Sequence, residues 1–355
     1  MISHHRYLST QKWNAFISSM PFNFPTEVIG YSVLKQPIYA HSLGNGPIKV
    51  LIWSQMHGNE STTTRALLDV FDFLFQPSGK RLLEALTLMI VPQLNPDGAD
   101  AYTRQNANGV DLNRDALDLT QPESNALEAL FKRFIPNFCF NLHGQRSIFS
   151  AGKNGKPATL SFLSPAANQE RGITDARTKA MQLIACIHKS LQEYIPGQIG
   201  RYNDTFNPNC VGDRFTSLGV PTVLYESGHH GLDYDRNFTK EVTVKALISG
   251  LQSIASRDYL KQSIDNYNLI PQNSEDYVDL IIQNIEIRSE GHVYKNQELA
   301  IQFTEQKVGD EVHFIPICVD FAEKIDCLAH QVLTADEVFH EPYVDYTRGR
   351  TIEIS

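Results

Sequence analysis

The stretch Val50-Leu51-Ile52-Trp53-Ser54-Gln55-Met56-His57-Gly58-Asn59-Glu60 decides how the rest of the chain is read. Its first half is short, continuous and apolar, the pattern of a strand covered on both faces. Its second half turns polar around a glycine and runs into a helical pattern over 62–75. A buried strand that ends in a polar turn and feeds a helix is the repeating unit of an α/β fold. The unit recurs outward from here. Strand-like runs lie at 86–92, 138–142 and 221–225. Helical patterns lie at 168–194 and 239–256, and after Pro122, where Leu127, Leu130, Phe131 and Phe134 repeat at i, i+3, i+4, i+7. The expected fold class is α/β, a mixed and largely parallel sheet sandwiched by helices.

Beyond Pro271 the texture changes. Segments 280–288, 292–303 and 311–321 are β-rich and are separated by Ser289-Glu290-Gly291 and Val308-Gly309-Asp310. The expected division is therefore residues 1–265, led by a helical segment of about 25 residues, and a small β-rich unit over 271–355. A chain of 355 residues with 42% hydrophobic and 20% charged residues can bury a large core, which excludes wholesale disorder. A net charge of −9 argues against nucleic acid or an anionic membrane as the main partner. The sequence contains no signal-type h-region and no run of membrane-spanning length. Cys139, Cys186, Cys210, Cys318 and Cys327 are odd in number and lack CxxC spacing. The expectation is a cytoplasmic protein, in which the sequons at Asn59, Asn203 and Asn237 are chance. Oligomeric state is not legible.

The chemistry-bearing residues sit at strand ends, where the loops of an open α/β sheet converge on one crevice. His57 and Glu60 are three apart across the glycine turn. His143 ends a later strand, in Asn141-Leu142-His143-Gly144. Either piece alone is common by chance, and a strand-end histidine is more often a hydrogen-bonded loop residue. Two histidines and a glutamate together leave a fourth position open for water, as a catalytic zinc requires.

The stretch from Asn95-Pro96-Asp97-Gly98 through Arg104 to Gly109-Val110-Asp111-Leu112-Asn113-Arg114 adds the specific signal. With HxxE before it, His143 after it and Tyr225-Glu226-Ser227-Gly228 later, the chain resembles the M14 family of zinc carboxypeptidases. The resemblance covers roughly residues 30–260, and the β-rich unit lies outside it. It implies that His57, Glu60 and His143 bind one zinc ion and that Glu226 is the general base. It also implies that Arg104 faces the carbonyl or oxyanion, and that Asn113 and Arg114 hold a substrate carboxylate. Physical chemistry agrees with each role. Zinc acidifies water to a pKa of ~7, a positioned carboxylate contributes ~10²–10⁴ in rate, and an arginine fork pairs bidentately with a carboxylate.

Departures from the family pattern remain. Tyr202 is a candidate for the family's substrate-covering tyrosine, but Thr205 and Phe206 lie as close to the expected place. His229 and His230 follow the base and could touch substrate or form a polar rim. Cys327 and His330 have CxxH spacing without a second half. The resulting expectation is a zinc-dependent hydrolase that cleaves a peptide bond next to a free carboxylate. The alternative is an N-acyl amino acid deacylase of the succinylglutamate desuccinylase and aspartoacylase type, which HGNE, DLNR and the trailing β unit also suit. A non-catalytic binding module and a closed structural metal site are the remaining readings.

Overall fold

The computed structural model describes residues 6–20, 24–339 and 343–353. Fifteen strands are assigned among them. Those of the main body are β1 (Thr26–Tyr31), β2 (Pro37–Leu43), β3 (Ile48–Trp53), β4 (Leu86–Val91), β5 (Phe138–Gly144), β6 (Phe149–Ala151), β7 (Leu160–Leu163), β8 (Ile199–Arg201) and β9 (Thr222–Ser227). Eight of them form one sheet in the order β1-β2-β4-β3-β5-β9-β7-β8. The centre, β4-β3-β5-β9, is parallel, while β1, β2 and the β9–β7 pair are antiparallel.

The expected sandwich follows from strand alternation. Val50 and Ile52 face one core and Leu51 and Trp53 the other, all fully buried. Helices α2 (Ser61–Phe75), α6 (Asp175–Leu191) and α8 (Asn237–Ser256) cover the first face. The second is covered by α5 (Pro122–Phe134), through the Leu127, Leu130, Phe131 and Phe134 stripe, and by α7 (Val211–Ser217). Each fully buried large apolar side chain contributes roughly 1.5–3 kcal/mol. The leading helix is α1 (Thr10–Ser19), capped by the Ser9 hydroxyl and anchored by buried Trp13 against Phe71.

Two expectations shift. The helix expected over 168–194 is shorter, because Arg171 is in the left-handed region and Thr174 caps the helix start instead. The outer strands β1, β2, β7 and β8 escape sequence patterning because they are brief or only partly buried.

The trailing unit is a separate sheet of long strands. It comprises β11 (Tyr277–Ser289), β12 (His292–Val308), β13 (Glu311–Ala322) and β14 (Leu328–Thr334), ordered β13-β12-β11-β14, with β15 (Tyr343–Asp345) paired to β11. It has its own core of Ile282, Ile285, Ile287, Leu299, Ile301 and neighbours. Before it, β10 (Asn273–Glu275) pairs with β6, stitching the unit to the loop that follows β5. No helix among the described residues is long and apolar enough to cross a membrane.

Candidate metal centre and active site

Parallel strands β3, β5 and β9 end at one level, with His143 in register beside Glu226. The β3 end is shaped by close backbone packing. Gln55 takes a left-handed conformation, and its side chain donates to the Gly58 carbonyl at 2.8 Å. A Cβ on Gly58 would lie 1.9 Å from the Gly98 carbonyl carbon. Asn95-Pro96-Asp97-Gly98 is thus more than turn chemistry. It starts α4 (Pro96–Ala101), with the Asn95 side chain as cap, and braces the underside of the His57–Glu60 turn. Asp97 is buried and accepts from Ser32, Leu34 and Gln36, fixing the brace to the β1–β2 connection.

Glu60 occupies the N-cap position of α2 yet makes no side-chain cap. Its carboxylate turns instead to His57 Nδ1 (2.9 Å) and His143 Nδ1 (3.0 Å), and it accepts the Gly144 amide at 2.9 Å. The ordinary gain from a capping side chain, ~1 kcal/mol, is forgone, while the helix N-terminus still favours the anion. The two Nδ1 atoms lie 3.1 Å apart. His143 Nε2 is buried without a hydrogen-bond partner among the described residues.

Asp111, which begins the Asp-Leu-Asn-Arg stretch, accepts His57 Nε2 at 2.9 Å and the Asn113 amide at 2.8 Å. This carboxylate–imidazole contact fixes the ring so that Nδ1 points inward, a common support for a metal-ligating histidine. Burial opposes charge on His57, but Glu60 and Asp111 outweigh it and lift the imidazole to about 9. Burial keeps His143 below its ordinary value. Glu60 is held well below the usual carboxylate range by the histidines, against its burial. The cluster therefore holds positive charge between two carboxylates. Two convergent imidazole nitrogens and a carboxylate, all within 4.8 Å, form a donor set that fits a zinc ion.

Around this cluster lies a cavity of about 500 Å³. Every residue singled out from the sequence for metal, catalysis or substrate lines it: His57, Glu60, Arg104, Asn113, Arg114, His143 and Glu226. Arg104 bridges Glu60 (3.2 Å) and Asp111 (3.1 Å). Asn113 accepts the Val211 amide, which anchors the 3₁₀ turn Leu112–Arg114 to α7. Arg114 donates to the Asn113 carbonyl and lies 3.1 Å from Cys210 Sγ; it has no carboxylate partner among the described residues. Burial, then the nearby charge of Glu60, raises the Glu226 carboxyl well above its ordinary range.

Of the three residues near the place of the substrate-covering side chain, Tyr202 lines the cavity, donating to Gln145 Oε1 at 2.9 Å. Thr205 and Phe206 are not in its lining. His229 lies away from it, edge-to-face with His330 of β14 and bonded to the Gly231 carbonyl. His230 contacts Thr159 and Gln198. His330 bonds the Ser147 carbonyl, and no metal-type cluster with Cys327 forms among the described residues.

The β3–β4–β5 half of this arrangement matches a family model. Residues 10–148 match the model of the zinc carboxypeptidase family, Peptidase_M14. The family match takes in His57, Glu60, Arg104, Asp111, Asn113, Arg114 and His143; Tyr202 and Glu226 lie beyond it. "Probable carboxypeptidase 2" of Trichophyton verrucosum is 31% identical over 113 residues, 31% of this chain and 21% of that protein. Mouse "Carboxypeptidase M" is 28% identical over 192 residues, 45% of this chain and 43% of that protein. The chain thus spans about a fifth of the length of the first curated carboxypeptidases it matches.

Solved zinc carboxypeptidase-like structures share the fold. A metallo-carboxypeptidase from Pseudomonas aeruginosa, in complex with (2-guanidinoethylmercapto)succinic acid, superposes with TM-score 0.57 at 18% identity. That match covers 72% of this chain and 71% of that one. Bovine thrombin-activatable fibrinolysis inhibitor, in complex with tick carboxypeptidase inhibitor, gives 0.58 at 16% identity, covering 72% of this chain and all of that one.

Sequence reading passed over Asp111 as a functional group, although it was in view. Its signal is position: a carboxylate two residues before Asn113, able to reach back to a ligand histidine. Gln145, Arg146, Arg6, Arg236 and Glu305 also line the cavity. No local pattern marks them, since they arrive from the N-terminal segment, two loops and β12.

Proposed function

We propose that the protein is a zinc-dependent metallocarboxypeptidase that hydrolyses the peptide bond beside a free C-terminal carboxylate. The observation that carries this reading is the alignment at the ends of β3, β5 and β9. His57 Nδ1, His143 Nδ1 and Glu60 converge, while Glu226 stands beside His143 and faces the same cavity.

His57, Glu60 and His143 would hold one zinc ion, which acidifies water and polarises a carbonyl as a Lewis acid. Asp111 orients His57 through Nε2. Arg114, with no acid of its own, takes the substrate's terminal carboxylate through its planar fork, and Asn113 Nδ2 adds a donor. Arg104 presents fixed positive charge near the ligands, where oxyanion charge develops. Glu226 takes a proton from the attacking water on its carboxylate and delivers it to the leaving amine, a role worth ~10²–10⁴ in rate. Tyr202 and Gln145 close one side of the cavity and exclude bulk water. Cytoplasmic residence belongs to the same reading, and the five free thiols are its support.

The test is hydrolysis of a panel of blocked dipeptides with free C-termini by the zinc-loaded chain, beside N-acyl amino acids. Peptide turnover is expected, lost on chelation and restored by zinc. Glu226→Gln is expected to lower kcat by ~10²–10⁴ with the fold intact by circular dichroism. Turnover confined to N-acyl amino acids would replace this reading with the deacylase one.

A further inference from the structure

The partners of the charged groups in the cavity leave one arginine unassigned. Its lining carries five arginines against three glutamates in a chain whose net charge is −9. Four of the arginines are committed. Arg6 pairs with Glu305 at 2.6 Å, and Arg236 donates to the Ser227 carbonyl at 2.9 Å. Arg104 bridges Glu60 and Asp111. Arg114 is the anchor for the terminal carboxylate. Among the acids, Glu60 faces the histidines, Glu305 is held by Arg6 and the Tyr102 hydroxyl, and Glu226 is the base. Arg146 is exposed, lines the cavity, and makes no hydrogen bond or ion pair among the described residues.

The backbone on both sides of Arg146 is pinned. Gln145 donates from its amide nitrogen to the Ser227 carbonyl and from its side chain to the Ala158 carbonyl. On the other side the clamp comes from the trailing sheet. Gln302 of β12 donates to Ser147 Oγ at 2.9 Å, His330 of β14 bonds the Ser147 carbonyl at 2.8 Å, and the Tyr277 amide donates to the Ile148 carbonyl. Pairing of β6 with β10 continues the clamp through Phe149–Ala151. A free guanidinium on a pinned stretch of backbone is placed for a partner, and no group of the described protein supplies one. The partner's chemistry follows from the guanidinium itself: a planar anion that accepts two hydrogen bonds.

We propose that Arg146 selects substrates that carry a second carboxylate within their last two residues, so that the site takes acidic peptides. The proposal rests on the carboxypeptidase reading and narrows its substrate class. It also gives the trailing sheet a task, which is holding the 145–151 loop so that Arg146 faces the cavity.

The experiment compares kcat/KM for peptide pairs that differ only as Glu against Gln, at the C-terminal or the penultimate position, with the zinc-loaded full chain. Wild type is expected to prefer Glu in one pair by roughly 10-fold or more, the scale of a hydrogen bond to a charged group. Arg146→Ala and Arg146→Gln are expected to bring that ratio close to one, and Arg146→Lys to retain part of it. A wild-type ratio near one, or an unchanged ratio in Arg146→Ala, would overturn the proposal while leaving the carboxypeptidase reading standing. Calorimetric binding of the same pairs to zinc-loaded Glu226→Gln supplies a readout independent of turnover. If wild type cleaves no peptide, the carboxypeptidase reading fails, and the Arg146-dependence of Glu over Gln in binding still decides the proposal.

Discussion

The two sheets solve opposite problems. In the main sheet the central strands are six or seven residues long and mostly buried, so that the chemistry-bearing residues of β3 and β5 gather at or just beyond their carboxyl ends. The trailing sheet is built from strands of 13, 17 and 12 residues whose outer stretches alternate into solvent. Short buried strands push all their chemistry into the loops at one edge. Long half-exposed strands carry side chains far from their own core, and β12 delivers Glu305 to the cavity and Gln302 to the loop that bears Arg146. The first sheet makes a site, and the second decides what borders it.

Three substitutions can break or sharpen this contrast. The largest effect is expected from Asp279→Ala. Asp279 is 1% exposed on β11 and accepts from the Tyr234 hydroxyl at 2.9 Å, from the Phe303 amide and from the Gln302 side chain. Stranding these donors should cost about 4 kcal/mol, at ~1–3 kcal/mol for each unpaired buried group. Urea unfolding measures the loss. A change under about 1 kcal/mol would mean that the trailing sheet hangs on the body as a loose cap.

A smaller, pH-dependent effect probes the main body. Burial raises the Asp213 carboxyl on α7 to about 7, against the pull of the Asn207, Asp213 and Ala166 amides. A folded-state value above the unfolded one means that no penalty exists below about pH 4. Stability is then lost as the pH rises through about 7, because the buried group must ionise. Asp213→Asn should therefore be more stable than wild type at pH 8 by at most about 4 kcal/mol, at ~1.4 kcal/mol for each of about three tenfold steps in proton affinity, with the gap closing by pH 4. Thermal melts at several pH values give the result. A gap that stays flat with pH would show that Asp213 is charged in the fold at no cost.

The smallest effect lies at the site itself. Asp111→Asn keeps the shape of the contact with His57 Nε2 but removes its charge. Zinc affinity, measured by competition with a chromophoric chelator, should fall ~10–100-fold, about 1.4–2.7 kcal/mol. An unchanged affinity would reduce Asp111 to a cap for the 3₁₀ turn.

Legibility in the sequence follows the same division. The apolar runs of β3, β4, β5 and β9 are distinct because burial on both faces leaves few polar residues within them, and their ends are where His57, Glu60, His143 and Glu226 stand out. The Asn95–Arg114 stretch was legible as a motif, but its work was not. That Gly58 must be glycine to admit the Gly98 backbone is a contact between segments 40 residues apart. Tyr202 could not be separated from Thr205 and Phe206 by spacing, since only the end of β8 decides which side chain turns into the cavity.

What the sequence determined by itself is local. Strand burial, the order of the ligand residues and the α/β alternation all follow from hydrophobic periodicity and from turn chemistry within a few residues. Tertiary structure alone decided which charges face one another. Arg6, Arg236 and Glu305 meet in one cavity from distant parts of the chain, and Arg146 is left without a partner among the described residues, on a loop held by strands more than 120 residues later. Charge pairing depends on distance in space and on the water excluded around it, and neither is encoded in the spacing of residues along the chain.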